Sequence, residues 1–135
     1  MTRTQLLGIG AAVLLAGCNA ENEMPTAADG EQIFVENCAA CHNYDASGGE
    51  LTSRAVAPDL TQLAAGNGGT FPRARVLSKI DGYGQQGHAN PGAMPEFGAI
   101  LAGEQVPVDI DGTLTPTPRS LAALLAFLES IQTSG

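Results

Sequence analysis

Cys38-Ala39-Ala40-Cys41-His42 is the stretch on which the reading of this chain turns. Two Cys separated by two residues and followed at once by His support three chemistries. A thioredoxin-like redox pair needs a βαβ setting, and no parallel-strand pattern precedes these residues. A structural zinc site needs four ligands; there is no second Cys pair, and His42 with His88 complete such a site poorly. The third is covalent haem attachment, in which both thiols add to haem vinyl groups and the adjacent His ligates the iron. The third fits best, because it leaves no cysteine over once the remaining one, Cys18, is placed.

Working outward toward the N-terminus, Arg3 precedes a run of apolar and small residues from Leu6 to Ala16, closed by Leu15-Ala16-Gly17-Cys18. The run is too short for a transmembrane helix, which needs about 20 apolar residues. A Cys directly after Leu-Ala-Gly resembles the bacterial lipoprotein signal, in which that Cys is acylated and becomes the first residue of the mature chain. An ordinary secretory signal that happens to contain Cys is the alternative. The lipoprotein resemblance implies a signal peptide over 1–17, a lipidated N-terminus and tether over 18–28, and a domain over 29–135. It also implies attachment to the periplasmic side of a bacterial membrane, where each buried CH₂ of the acyl chains contributes ~0.8 kcal/mol. Residues 19–28 have no apolar periodicity and contain Pro25, as a tether should.

The whole chain of 135 residues has 14 acidic and 6 basic side chains, a net charge of -8. Losing Arg3 with the leader takes that from -8 to -9. Lys79 is the single Lys and the Arg residues form no run, which excludes nucleic acid, since neutralising phosphates requires clustered cations. A hydrophobic content of 44% against 15% charged residues excludes a disordered acidic tail. With four Phe, two Tyr and no Trp, the chain has little aromatic mass for a core of its own.

The domain reads as helices separated by loops. Asp29-x-x-Gln32 forms a capping box for a first helix that runs from about Gly30 to Cys38, directly into the Cys-His motif. Residues 43–58 read as loop, and Asp59–Ala65 as a short helix stopped by Gly66. Thr70 is placed to cap a helix over Phe71–Asp81 that ends at Gly82, with Val76, Leu77 and Ile80 as its apolar stripe. Gly82–Gly98 is a long loop with five Gly and two Pro, and loops of that length in compact domains are often functional. Val106–Ile110 and Thr113–Thr115 make a small hairpin on Asp111-Gly112. Thr117 caps and Pro118 opens a last helix whose Leu121, Leu124, Leu125, Leu128 and Ile131 share one face.

Taken in order, these features resemble the class I cytochrome c family over Asp29–Gln132. Cys38-Ala39-Ala40-Cys41-His42 matches the family's attachment site, and Gly30 with Phe34 its first-helix pair. Pro58-Asp59-Leu60 matches its Pro-x-Leu, Met94-Pro95 its methionine loop, and Phe127-Leu128 its last helix. The resemblance implies an all-α fold of three to four helices around one covalent haem c bound through Cys38 and Cys41. The hairpin before the C-terminal helix is then an insertion. His42 and Met94 are implied as the axial iron ligands, and the Pro58 carbonyl as the acceptor that fixes the His42 ring. A thioether sulfur is a soft ligand that raises the reduction potential. Met94 lies 52 residues after His42, between small residues and Pro95. His88 is the rival sixth ligand, and Tyr44, Arg54, Arg73 and Arg75 are candidate donors to the haem propionates.

Iron closed on both faces offers no open position to a substrate, so the expected function is single-electron transfer by Fe(III)/Fe(II) cycling between extracytoplasmic redox partners. The chain is not expected to be an enzyme itself. Its partners would be a donor and an acceptor protein, with the membrane reached through lipid, and its state a monomer or a complex subunit. An electron-transfer subunit of a periplasmic oxidoreductase is the narrower alternative; a haem enzyme or sensor with a labile sixth ligand is the competing class.

Overall fold

A computed structural model describes residues 23–52, 55–82 and 94–133. The first helix, α1, spans Ala27–Asn37 and is capped by Thr26 rather than by Asp29. The Thr26 hydroxyl accepts from the Asp29 backbone N–H at 3.3 Å, and the Asp29 carboxylate accepts from the Thr26 N–H at 2.7 Å. Thr-x-x-Asp thus closes the reciprocal box one turn earlier than Asp-x-x-Gln would. Gln32 instead donates to Glu36 one turn on. The helix therefore starts inside the stretch read as tether. Cys38, which caps its C-terminus, opens a single further turn, α2, over Ala39–His42, so Cys38, Cys41 and His42 ride on a continuation of the helix.

Residues 43–58 are more ordered than a loop reading allows. They carry a two-stranded antiparallel hairpin, β1 (Gly49–Thr52) with β2 (Ala55–Ala57), bulged between Glu50 and Thr52. Every β1 residue is exposed and only Ala55 and Ala57 are buried, so no alternation of large apolar residues announces the strands. Next come two 3-10 turns, Leu60–Gln62 and Ala65–Asn67, where one short helix was expected; the Asp59 carboxylate caps the first through the Thr61 N–H.

Helix α3 spans Arg73–Asp81, starting two residues later than its apolar stripe predicts, with Pro72 rather than Thr70 at its N-cap. Gly82 ends it in the left-handed conformation that a Cβ disfavours, at φ 87°. The expected second hairpin pairs β3 (Gln105–Ile110) with β4 (Thr113–Pro118) in unbroken register. Asp111 and Gly112 both have positive φ, the twist-matched geometry of a two-residue turn. Helix α4 spans Arg119–Ser130; Thr117 belongs to β4, where its hydroxyl donates to the Thr115 carbonyl instead of capping. Among the described residues the architecture is thus four helices with two small antiparallel hairpins, not helices with one hairpin.

The core is built on α4, which buries Ala122, Ala123 and Phe127 as well as its leucine face. Helix α1 crosses it closely at Gly30, where a Cβ would run into the Ala123 backbone carbonyl and, at 2.7 Å, the Phe127 Cβ. That approach sets Phe34 against Phe127, ring centroids 5.1 Å apart and tilted 45°. Arg73 ties α3 to the rest: it pairs with both Glu129 carboxylate oxygens and donates to the Asp109 carbonyl of β3. After α4, the Gln132 amide donates to the Leu60 carbonyl and accepts from the Ala64 N–H, zipping the tail onto the 3-10 segment. No helix among the described residues is long and apolar enough to cross a membrane.

Candidate functional site

His42 is the buried polar residue at the end of the Cys-x-x-Cys-His turn, with 6% of its surface exposed. Its Nδ1 lies 3.3 Å from the Pro58 carbonyl oxygen. A carbonyl only accepts, so the geometry assigns the proton to Nδ1 and leaves the lone pair on Nε2. Burial lowers the His42 pKa, opposed by the Pro58 bond, and both the tautomer and the neutral charge state suit a metal-ligating imidazole.

Cys38 is half-buried and Cys41 exposed, and both are free. Burial first, and Cys41 beside it second, push the Cys38 thiol up to about 11. A redox-active Cys-x-x-Cys needs the opposite shift, toward a thiolate at neutral pH. The βαβ setting of that chemistry is also missing from the described residues. No three His, Cys, Asp or Glu side chains gather into a metal-binding cluster among the described residues.

Cys38, Leu60, Leu63, Leu77 and Met94 pack against the main core while staying half-exposed. A free imidazole lone pair and two unbridged thiols on one turn are the donor set that covalent attachment of a metallo-group requires. Met94 sits against the core, just before Pro95; Phe97 donates its N–H to the Ile80 carbonyl and so fixes the return of the methionine loop to the end of α3. Two clefts lie elsewhere, one at Thr26, Asp29 and Arg119, the other between α3 and the β3–β4 hairpin.

A protein-family model described as cytochrome c matches residues 27–132. The chain belongs to the cytochrome c family. It follows that this cytochrome binds one haem c covalently, with Cys38 and Cys41 at the family's attachment spacing, and the free thiols and the neutral His42 fit that group. Comparisons with curated proteins and with solved structures return no match.

The structure treats the remaining sequence candidates unequally. Arg73 is committed to Glu129 and Asp109, and Arg75 donates to Asn67, so neither side chain is held in reserve for a propionate. Tyr44 is 80% exposed. Cys18, Arg54 and His88 lie outside the described residues. Two residues of the site went unread in the sequence. Asn43 and Gly48 both have positive φ, and the Asn43 side-chain amide donates to the Gly48 carbonyl at 2.5 Å. Gly48-Gly49 is a turn signal, but the conformation of Asn43 leaves no trace in composition or periodicity.

Proposed function

We propose that this cytochrome is a lipid-anchored carrier of single electrons on the periplasmic side of a bacterial membrane. When bound, the haem supplies a one-electron Fe(III)/Fe(II) couple. The observation that carries the reading is His42: a buried, neutral imidazole whose Nδ1–H is taken by the Pro58 carbonyl and whose other nitrogen is left as a donor. Cys38 and Cys41 hold the macrocycle. His42 and Met94 would ligate the iron, leaving no open position for substrate, so the chain's residues would serve to hold and insulate the group rather than to catalyse. Pro58 fixes the His42 ring and increases its basicity. Cys18 carries the lipid, which confines donor and acceptor encounters to one surface and makes weak docking sufficient.

The acidic surface favours a partner with a basic docking face, because the few cations of the chain are partly spent internally, on Glu129 and Glu104. Four measurements test these points. Denaturing mass spectrometry should give the chain plus one haem, and the oxidised spectrum should be low-spin with a methionine–iron charge-transfer band that Met94→Leu abolishes. A high-spin spectrum in the unaltered protein would refute closed coordination. Cys18→Ser should move the protein from the membrane to the soluble periplasm. With a basic partner, the second-order rate should fall as salt is raised, over a Debye length of ~10 Å at 0.1 M; a flat or rising rate would refute the charge argument.

A further inference from the structure

We propose that Gly48 is a positioning residue for the axial imidazole: it backs the Pro58 carbonyl that accepts the His42 Nδ1–H, and Asn43 locks it in place. At Gly48, φ is 69°, and a Cβ there would meet the Ala57 and Pro58 carbonyl oxygens, with the Pro58 carbonyl carbon 2.6 Å away. The backbone of residue 48 is thus pressed against the one acceptor that orients His42. Backbone and side-chain bonds hold it there from both sides. The Gly48 N–H donates to the His42 carbonyl at 3.0 Å, and the Asn43 amide donates to the Gly48 carbonyl. Beyond Pro58, the Leu60 N–H donates to the Ala46 carbonyl at 2.9 Å, closing the loop on itself.

Asn43 bears the strain of this arrangement. Its φ of 62° with ψ of 161° falls in a region that is essentially reserved for Gly and is strained for other residues. A non-Gly residue in that conformation directly after the ligand needs a compensating contact, and its amide bond to Gly48 is that contact. Strain at Asn43 is therefore exchanged for a fixed distance between Pro58 and His42. That distance matters because the strength of the Nδ1–H bond sets how much electron density the imidazole gives to a metal.

The proposal rests on His42 being the axial ligand, and the experiment keeps the two apart. Reduction potentials and the His42 Nδ1–H NMR resonance of the reduced protein would be measured on the holoprotein and on Gly48→Ala, Asn43→Gly and Gly49→Ala. Gly49 also has positive φ, 146°, but a Cβ there meets nothing closer than the Asn43 side chain at 3.7 Å, so it reports loop strain alone. Gly48→Ala should displace the carbonyl, weaken the bond, raise the potential and move the resonance upfield. Asn43→Gly should shift both in the same direction while relieving backbone strain, so its melting temperature should not fall with them. Gly49→Ala should leave both readouts near those of the unaltered protein. Unchanged readouts in Asn43→Gly, or equal shifts in Gly48→Ala and Gly49→Ala, overturn the proposal. If Gly48→Ala does not accumulate as holoprotein, Asn43→Gly decides alone. A wrong axial assignment would show differently, as a haem spectrum that survives replacement of His42.

Discussion

Gly30→Ala tests the helix crossing on which the attachment turn depends. The added methyl would sit against the Ala123 backbone carbonyl and 2.7 Å from the Phe127 Cβ, and a backbone carbonyl within a helix has little room to retreat. Overpacking of this kind costs about 1–3 kcal/mol, and the backbone obstruction places it at the upper end. Separating α1 from α4 also draws Phe34 off Phe127, whose 5.1 Å ring contact contributes about 1 kcal/mol. Against this, Ala is favoured over Gly in a helix interior by about 1 kcal/mol. The balance is a destabilisation of about 3 kcal/mol, which for a domain of this size lowers the melting temperature by about 12 °C. Circular-dichroism melts of the holoprotein measure it. Gly103→Ala, at a position where a Cβ meets nothing within 4 Å, is the control and should be near neutral. A Gly30→Ala protein that melts within about 2 °C of the unaltered one would refute the close-approach argument.

Three further outcomes follow from the same contacts. Arg73→Ala breaks a bidentate pair whose side chains are 34% and 38% exposed, and also the bond to the Asp109 carbonyl. With the ion pair discounted for solvent screening, the loss is about 1–2 kcal/mol and is read as a lower melting temperature with an unchanged haem spectrum and potential; a large shift in potential would make Arg73 a propionate partner after all. Hydrogen bonds to the Asp29 and Asp45 carboxylates from Thr26 and Ser47, and to Glu104 from Arg119, hold all three below the usual carboxylate range. Because the folded pKa lies below the unfolded one, their contribution is present above about pH 4–5 and is lost as pH falls through the folded values. The carboxylates' share, read as the difference in melting temperature between the unaltered protein and Ser47→Ala, should therefore be flat from neutral pH down to about 5 and shrink below about 4; a difference that shrinks from near neutrality would contradict this. Replacing Cys38 and Cys41 with Ala should leave a chain of low helicity, since cofactor binding is part of the folding free energy, and a cooperative native-like melt of that variant would show that the helices need no haem.

How much of this was legible in the sequence depended on what each residue signals. The attachment motif, the α4 leucine face and the Asp111-Gly112 turn were read correctly because each is a local code: a spacing, a 3.6-residue period, a dipeptide that tolerates positive φ. The β1–β2 hairpin was missed because its strands are short and expose Leu51 and Val56, leaving two Ala as the only buried apolar residues. Caps were misplaced by one turn or less at α1, α3 and α4, since Thr26, Pro72 and Pro118 each compete with a neighbour that also fits the rule. Arg73 was named as a propionate donor on charge alone; its ties to Glu129 and Asp109, 56 and 36 residues distant, belong to tertiary structure. The Asn43–Gly48–Pro58 arrangement was invisible for the same reason, because a strained φ is imposed by its surroundings.

These long-range ties share one element. Helix α4 backs α1 through Gly30 and Phe34, and α1 runs straight into the turn that bears Cys38, Cys41 and His42. The residues that follow α4 reach the other side of the same site: Gln132 bonds the Leu60 carbonyl, the Ala64 N–H and its own helix at the Leu128 carbonyl, and Thr133 donates its N–H to Thr61. Leu60 lies two residues after Pro58, so the acceptor of the His42 proton and the turn that carries His42 are both referenced to a single rigid helix. Ligands held on elements with a common support keep their relative geometry when either element is pushed, which is the requirement for a metal site that changes charge without rearranging. A carrier of single electrons profits from that stiffness more than a catalyst does, because its ligand set must look nearly the same before and after each transfer.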